Sequence, residues 1–228
     1  MPGYAVKVQS IGIAEGDNLE IRSLLDRQQY ADPEGAAALA GITSATWPLF
    51  GQVWPSARLL ANLMQAWDLG TCRILEIGCG LALASLVVHR RHGNITASDN
   101  HPLAESFLHD NLQRNHLPPM KFVTGDWSYP DPALGHFDLI IGSDVLYERD
   151  HPCQLVQLIE RHAACAAEVL IIDPNRGNRR GFTQGLQLLG FALKETNLST
   201  TLPDDTTFRG RVLHYRRQHA LRDRAAGH

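Results

Sequence analysis

The stretch from residue 73 to residue 99 constrains the fold of this chain more than any other. A short apolar run over 74–77 reaches a Gly-x-Gly turn at Gly78 and Gly80 and continues as a helix-like segment over 81–92. A second apolar run then ends at Asp99. A strand, a tight turn, a helix and a second strand in this order form one βαβ unit of a parallel sheet. The sequence therefore predicts an α/β protein.

The two glycines and the acid at the end of the second strand indicate a nucleoside site. Gly78 and Gly80 lack a Cβ, so backbone N–H groups and the positive N-terminus of the next helix can lie against a ligand. Asp99 stands 19 residues after Gly80, where a carboxylate of a doubly wound sheet reaches ribose hydroxyls. The turn alone leaves open an ordinary βα connection without a ligand.

Size and charge exclude several classes of protein. The chain has 228 residues, of which 44% are hydrophobic, and this is enough for one sizeable core. A net charge of −3 gives no general attraction to nucleic acid or to an anionic membrane. No apolar run is long enough to span a bilayer, and the first residues lack the pattern of a signal peptide. We therefore expect a soluble cytoplasmic protein.

The cysteines and histidines do not form a metal-binding pattern. The four cysteines include no C-x-x-C pair, and Cys79 lies inside the glycine turn, so we expect reduced thiols. His89 and His92 share a helix face at metal spacing, but no third ligand lies near them in the sequence. We predict no metal site.

Two structural units are predicted before the βαβ unit. Residues 4–25 alternate between apolar and polar side chains around a polar turn, which predicts an N-terminal β-hairpin, and a short helix is expected within 31–44. Residues 55–67 start with proline and repeat apolar side chains at helical spacing, which predicts an amphipathic helix. Trp54 precedes this helix, either as a core anchor or as a wall of the ligand pocket.

The chain after Asp99 continues to alternate helices and strands. The predicted segments are a helix over 102–115, strands over 120–124 and 137–142, a helix over 152–165, a strand over 168–173 and a helix ending near 189. Two last strand-like runs, 191–196 and 211–215, flank a Leu-Pro-Asp-Asp turn and are expected to pair antiparallel. Disorder is expected from residue 218.

Acidic and aromatic residues follow two of these strands. Asp126 and Trp127 follow the strand over 120–124, where a carboxylate can accept from the amino group of adenine and an indole can lie on its ring. A turn aspartate and a half-buried tryptophan are the alternative. Asp144 and Tyr147 follow the strand over 137–142. Because ligands bind beyond the carboxyl ends of parallel strands, we expect both side chains to point into one crevice.

Taken together, the motifs resemble those of a known family. Leu83 stands where a dinucleotide fingerprint requires its third glycine, which weakens an NAD-binding interpretation. The series LEIGCG, Asp99, GDW and FDLIIGSDVLY, preceded by VWPSARLLA, resembles the class I seven-strand S-adenosylmethionine-dependent methyltransferases. Within them it looks most like methyltransferase family 16, which holds lysine-directed protein methyltransferases and nicotinamide N-methyltransferase-like sequences. The resemblance covers residues 51–147.

The resemblance implies a particular architecture. It is a Rossmann-like α/β sheet of seven strands in the order 3-2-1-4-5-7-6, counted within the methyltransferase domain, with the N-terminal β-hairpin as an extension. Together with the hairpin and the tail predicted from the sequence pattern, this divides the chain into a hairpin and linker extension over 1–45, the S-adenosylmethionine-dependent methyltransferase domain over 46–217, and a disordered tail over 218–228.

The resemblance also assigns roles to single residues. Among the implied cofactor-binding residues, Trp54 packs against the cofactor, and Glu76 lies near its amino group. The turn under the methionyl part is formed by Gly78, Cys79 and Gly80. Asp99 is the implied ribose acid, Asp126 and Trp127 form the implied adenine site, and Ser143 lies beside the sulfonium. Asp144 and Tyr147 match the Asp-x-x-Tyr segment that borders the methyl acceptor and are the implied catalytic residues. Ala82 stands where the family usually has glycine, and we expect cofactor binding to survive this change.

The implied function is methyl transfer from S-adenosylmethionine, with a protein lysine as the expected acceptor. The alternatives are a small-molecule N-methyltransferase of the same fold, a non-catalytic nucleoside-binding module and an NAD-dependent oxidoreductase. A nucleic-acid acceptor is disfavoured, because residues 143–146 replace an Asn-Pro-Pro-Tyr-type segment. We expect a monomer that acts on a protein or a small-molecule amine and does not bind membranes.

Overall fold

Strands and helices alternate along most of the chain in the computed structural model, which describes residues 3–125, 127 and 131–218. In chain order the elements are β1 (Val6–Ile11), β2 (Leu19–Leu24), α1 (Ala36–Leu39), α2 (Pro55–Ala66), β3 (Arg73–Ile77), α3 (Leu83–Arg90), β4 (Asn94–Asp99), α4 (Ala104–Arg114), β5 (Lys121–Thr124), β6 (Phe137–Ser143), α5 (His151–His162), β7 (Ala163–Asp173), α6 (Arg179–Leu188), β8 (Ala192–Thr201) and β9 (Thr207–Arg217). Short 3₁₀ turns occupy Trp47–Leu49 and Pro132–Leu134.

Seven of the strands form one mixed sheet in the order β5-β4-β3-β6-β7-β9-β8. The five strands from β5 to β7 pair in parallel, and β9 is antiparallel to both of its neighbours. Counted from β3, this is the order 3-2-1-4-5-7-6, so the predicted fold class is confirmed. The chain leaves β3 on one side towards β4 and returns on the other side at β6, and ligands bind at such a switch point.

Helices cover both faces of the sheet because its central strands are apolar on both sides. On β3, Ile74 packs with the side chains of α2, α3 and α4, whereas Leu75 and Ile77 pack with those of α5 and α6. All three side chains are fully buried. Strands buried on both faces read as continuous apolar runs, which is the pattern that predicted them. Among the described residues, no helix combines the length and apolarity that a membrane crossing needs.

The N-terminal hairpin is present and packs on the main core. Strands β1 and β2 pair antiparallel in a separate two-stranded sheet, as predicted. Leu19 and Ile21 of β2 are fully buried and belong to the same apolar cluster as α2, α3 and α4. The backbone N–H of Arg22 donates to Oδ1 of Asn111 on α4 over 2.7 Å, and the Arg22 guanidinium pairs with Asp110. The hairpin therefore covers α4.

The start of β7 differs from the prediction. The predicted helix over 152–165 ends at His162, and residues 163–167 belong to the strand. The guanidinium of Arg217 on β9 donates to the carbonyl of Ala164 over 2.8 Å and to that of Cys165 over 3.2 Å. These contacts hold an alanine-rich segment in an extended conformation against its intrinsic helix propensity.

Candidate functional site

A cavity of about 640 Å³ opens at the carboxyl ends of β3, β4 and β6. Its volume lies within the ~300–1,000 Å³ typical of small-molecule sites. The cavity brings together nine of the eleven residues predicted for the site, which are Trp54, Gly78, Cys79, Gly80, Asp99, Trp127, Ser143, Asp144 and Tyr147. Glu76 is not among the lining residues, and Asp126 lies outside the residues that the structure describes. The individual roles assigned to all eleven stay predictions.

The glycine turn is tight and closely packed. Gly78 has a φ of 57° and Gly80 a φ of 52°, which is the left-handed region that favours glycine. A Cβ on Gly80 would lie 2.8 Å from the carbonyl oxygen of Phe50, and one on Gly78 would lie 3.0 Å from Cγ1 of Val145. Both the backbone conformation and the close contacts therefore require glycine at these two positions.

A third residue of the turn is left-handed without being glycine. Ala82 has a φ of 58°, is fully buried and immediately precedes α3, which starts at Leu83 rather than at residue 81 as predicted. The left-handed region costs a non-glycine residue about 1–2 kcal/mol. The glycine that the family usually has here therefore matches the backbone conformation, and Ala82 holds that conformation at a cost.

Asp99 connects the turn to the end of β4. Its Oδ2 accepts from the N–H of Gly80 over 2.8 Å, and its Oδ1 accepts from the N–H of His101 over 2.9 Å. The residue is 7% exposed, and burial raises the pKa of its carboxyl group. Each oxygen can accept a second hydrogen bond, so the carboxylate can bind two hydroxyl groups from the cavity.

Glu76 lies beneath the turn and bonds to α3. Its Oε2 accepts from the backbone N–H of Ser85 over 2.8 Å and from the Ser85 hydroxyl group. That N–H belongs to the first turn of α3, where N–H groups lack a partner within the helix and Ala82 offers no capping side chain. Burial raises the pKa of Glu76 to about 7. Its observed contacts are thus those of a helix cap.

Two tryptophans form walls of the cavity. Trp54 lines the cavity, and its Nε1 donates to the carbonyl of Leu49 over 2.8 Å. Trp54 therefore combines the two alternatives considered from the sequence, a core anchor and a wall of the ligand pocket. The indole of Trp127 lies 3.4 Å from the position of a Cβ on Gly78. The Nε1 of Trp127 is buried and has no hydrogen-bond partner among the described residues.

The last wall contains the Asp-x-x-Tyr segment. Asp144 has a left-handed φ of 54°, and Arg176 donates to both of its carboxylate oxygens over 2.8 Å. Tyr147 is 42% exposed, and burial of its hydroxyl group raises its pKa to about 12. The ring of Tyr147 meets the edge of His151 with centroids 4.6 Å apart.

Phe50, His101 and Arg176 also line the cavity and were not predicted as site residues. Phe50 and His101 stack with ring centroids 3.6 Å apart, and burial lowers the pKa of His101 to about 3, so its imidazole is neutral at neutral pH. Their sequence signal was the aromatic cluster just before α2 and the position two residues after Asp99. Arg176 follows β7, and the strand-end rule that selected Asp144 would have selected it too.

The sheet order, the glycine turn below the cavity and the buried acid at the end of β4 define a class I S-adenosylmethionine-dependent methyltransferase. The family model described as lysine methyltransferase matches residues 46–183. The chain therefore belongs to the lysine methyltransferase family, and the resemblance seen in the sequence is confirmed.

Curated relatives match about half of the chain. The magnesium-protoporphyrin O-methyltransferase of Rhodobacter capsulatus is 30% identical over 137 residues, which cover 57% of this chain and 59% of that protein. The protein N-lysine methyltransferase METTL21A of Mus musculus is 31% identical over 116 residues, which cover 47% of this chain and 52% of that protein. The chain thus spans between half and three fifths of the length of these relatives.

A solved structure shares the fold. The magnesium protoporphyrin IX methyltransferase (ChlM) from Synechocystis PCC 6803, crystallised with bound S-adenosylmethionine, has a TM-score of 0.59 and 16% sequence identity. The match covers 83% of this chain and all of that one. At this identity it supports the fold alone.

The cavity residues fit S-adenosylmethionine. Asp99 has free acceptor positions for the two ribose hydroxyls, and the indole of Trp127 provides a flat apolar surface for an adenine ring. Gly78 and Gly80 line the cavity with backbone alone, which a methionyl group could approach closely. Among the described residues, no group of three or more potential metal ligands is found.

Proposed function

We propose that this chain is a protein-lysine N-methyltransferase that uses S-adenosylmethionine. Membership of the lysine methyltransferase family and the 31% identity to METTL21A support a lysine acceptor. The observation that carries the proposal is the position of Asp144 and Tyr147, which follow β6 and line the same cavity as the nucleoside-type residues. An acceptor that meets these two side chains would lie beside the cofactor.

Each part of the cavity has a role in this proposal. Asp99 would hold the ribose, Trp127 would contact the adenine, and Ser143 would lie near the sulfonium. When bound, S-adenosylmethionine supplies a methyl group on a sulfonium that carries its own leaving group. The protein therefore needs no covalent nucleophile, and its own contribution is alignment of the acceptor, which can supply on the order of 7–11 kcal/mol.

The acceptor amine must lose a proton first. A lysine side chain has a pKa of about 10.4, so freeing its lone pair at pH 7 costs roughly 4.6 kcal/mol. Tyr147 is unsuited as a base, because a phenol with a pKa of about 12 stays protonated at neutral pH. We therefore assign Asp144 and Tyr147 to capture and orientation of the amine, with the proton passing to water.

We further propose that the chain acts as a monomer on a protein partner in the cytoplasm, where thiols stay reduced. Cys79 in the glycine turn is a buried free thiol, and burial raises its pKa well above the ordinary value. All four cysteines, Cys72, Cys79, Cys153 and Cys165, are free thiols, which suits a reducing compartment.

A small-molecule acceptor is the second candidate. The 30% identity to a magnesium-protoporphyrin O-methyltransferase favours it. Such an acceptor would occupy the same cavity beside Asp144. The two candidates therefore differ in the molecule that receives the methyl group and not in the residues that bind this molecule.

The test is incubation of the protein with tritium-labelled S-adenosylmethionine and a cell extract. A protein-lysine methyltransferase should place the label in a protein band that yields methyl-lysine on acid hydrolysis. Label that appears only in small molecules would favour the second candidate, and label in RNA would contradict both.

The Asp144→Ala variant provides the matched control. It should abolish label transfer and leave the affinity for S-adenosylhomocysteine, measured by calorimetry, near that of the wild type. The partner Arg176 has a side chain that is 45% exposed, so water can solvate the guanidinium once the carboxylate is gone. Loss of both activity and cofactor affinity would refute the assignment of Asp144 to the acceptor side.

A further inference from the structure

The carboxylate of Asp144 is held in a fork by a neighbouring guanidinium. The Nε of Arg176 donates to Oδ1, and its Nη2 donates to Oδ2, each over 2.8 Å. Two parallel bonds of this kind fix the plane of the carboxylate as well as its distance. Both residues line the cavity, and the side chain of Asp144 is 13% exposed. The acid of the Asp-x-x-Tyr segment is therefore one half of an ion pair.

The backbone holds this pair from two neighbouring strands. Asp144 follows β6, and its N–H donates to the carbonyl of Ile172 on β7 over 2.9 Å. Arg176 follows β7, and its own N–H donates over 3.2 Å to Oδ1 of Asp173, which is fully buried. Because β6 and β7 are adjacent and parallel, the loops after them meet at the cavity.

The ion pair of Asp144 and Arg176 changes the electrostatic environment of an amine bound beside Asp144. An unpaired carboxylate favours the ammonium form of a nearby amine and would oppose the proton loss that methylation requires. With the guanidinium in contact, the two charges cancel, while each carboxylate oxygen keeps a lone pair that can accept an N–H bond. The hydrogen bonds to Asp144 also raise the pKa of Arg176, so the guanidinium stays charged at neutral pH.

Other charged or titratable groups lie near this pair, but they do not replace Arg176. Asp173 and Tyr147 interact electrostatically with Asp144. Glu148 is in turn a charged neighbour of Tyr147, and Arg179 is one of Asp173. Asp173 and Glu148 are acids. The phenol of Tyr147 has a pKa of about 12 and is neutral at neutral pH, and Arg179 pairs with Glu195 at 3.7 Å. Within the described ranges, the cation in contact with Asp144 is Arg176.

We propose that Arg176 is a positioning residue for the methyl acceptor, because it neutralises and aims Asp144 so that the acceptor nitrogen is held as a neutral amine. The inference rests on the proposed function, since it requires an amine acceptor. The proton of the amine passes to water, and Arg176 keeps its own protons throughout.

The test is the pH dependence of a single turnover in the wild type and in Arg176→Gln. The probe is total protein of a cell extract, the enzyme is in excess and raised until the rate no longer changes, and the readout is tritium recovered as methyl-lysine. In both proteins the rate rises with pH as the bound amine loses its proton. In the variant the rate should rise at a pH that is higher by about one unit or more. Its rate at pH 7 should therefore be about tenfold below that of the wild type, and this difference should shrink above about pH 9.

Two control variants separate this role from a structural one. Arg176→Lys keeps the positive charge, so its profile should stay at the wild-type position even where the lost fork lowers the absolute rate. Arg179→Gln removes a neighbouring guanidinium that pairs with Glu195 and should leave both rate and profile unchanged. The affinity of Arg176→Gln for S-adenosylhomocysteine should stay within about threefold of the wild type.

The outcomes distinguish the inference from the function on which it rests. A profile of Arg176→Gln that coincides with that of the wild type, at any absolute rate, would overturn the inference and leave the proposed function standing. If the wild type itself yields no methyl-lysine at any pH, the proposed function fails and the inference falls with it.

Discussion

At the scale of single residues, Asp99 does two tasks with one carboxylate. It accepts from the N–H groups of Gly80 and His101, and it faces the cavity. Replacement by alanine should weaken the affinity for S-adenosylhomocysteine by about 1.5–3 kcal/mol, which is roughly a 10- to 150-fold rise in Kd. The same change should lower stability, because two backbone donors lose their acceptor. Calorimetry measures the first effect and thermal unfolding the second.

Asp138→Ala is the matched control for Asp99→Ala. Asp138 also accepts from a backbone N–H, that of Arg73 over 2.8 Å, but it lies at the start of β6, at the opposite end of the sheet from the cavity. The control should lose stability and keep its affinity for the cofactor product. Equal affinity of Asp99→Ala and the wild type would remove Asp99 from the binding site.

Glu76 should make stability depend on pH. Burial raises its pKa from the ordinary 4.5 to about 7, so between these values the folded chain keeps a proton that the unfolded chain has lost. Its contribution to the free energy of unfolding is therefore complete below pH ~4.5 and is lost as the pH rises to about 7, about 3 kcal/mol in total.

The Glu76→Gln variant isolates that contribution, because glutamine does not titrate and keeps an acceptor for the N–H of Ser85. Urea unfolding at pH 4.5 and at pH 7.5 gives the free energy of unfolding of both proteins. Between the two pH values, the free energy of unfolding of the wild type should fall by about 3 kcal/mol more than that of the variant. A constant difference between them would show that Glu76 titrates alike in both states.

The sequence predicted the glycines of the turn but not the conformation of Ala82. A Gly-x-Gly pair after an apolar run indicates left-handed backbone, and Gly78 and Gly80 both have it. Ala82 has it as well, and alanine gives no such signal because its propensity favours the helix that follows. The pairing of Arg176 with Asp144 was also missed, because it depends on two loops that are far apart in the chain.

At the scale of elements, the hairpin β1–β2 should unfold together with the sheet. Ile21 is fully buried in the cluster that contains α2, α3 and α4, whereas Val8 on the partner strand is 47% exposed. Ile21→Ala should lower the free energy of unfolding by about 2–5 kcal/mol, because it leaves a cavity in this cluster. Val8→Ala should change it by less than about 0.5 kcal/mol.

Urea unfolding followed by circular dichroism measures both hairpin variants. A single transition that moves to lower urea in Ile21→Ala would support one cooperative unit. A loss in Ile21→Ala as small as that in Val8→Ala would mean that the hairpin contributes little to the core, and the extension would then be a separate unit.

Most elements could be predicted because periodicity identifies which faces are buried. The apolar runs predicted β3, β6 and the second half of β7, and helical spacing predicted α2 to within one residue of its observed end at Ala66. The first half of β7 could not be predicted, since residues 163–167 are mostly alanine and are extended through contacts with Arg217. Tertiary contacts of that kind leave no local pattern.

At the scale of the whole molecule, the strand order came from the family resemblance and not from periodicity. Apolar runs identify strands but do not say which strands are neighbours. The order places the ends of β3, β4 and β6 side by side, and this brings Gly80, Asp99 and Asp144 to one cavity from positions far apart in the chain. The position of the site is therefore a property of the topology.

A ligand that bridges several strand ends should stabilise the entire sheet. S-adenosylhomocysteine at about a hundred times its Kd stabilises the folded state by about 2.7 kcal/mol if it does not bind the unfolded chain. For a chain of this size, each kcal/mol raises Tm by about 2–4 °C, so differential scanning calorimetry should show a rise of about 5–10 °C.

NAD⁺ at the same concentration is the control for this thermal shift. Leu83 stands where a dinucleotide fingerprint needs the glycine that lets its helix pack closely on the strand, and it lines the cavity at the start of α3. NAD⁺ should therefore leave Tm unchanged. A rise with NAD⁺ and none with S-adenosylhomocysteine would reverse the assignment of the cavity, since mass action stabilises a fold only through a ligand that binds its native state.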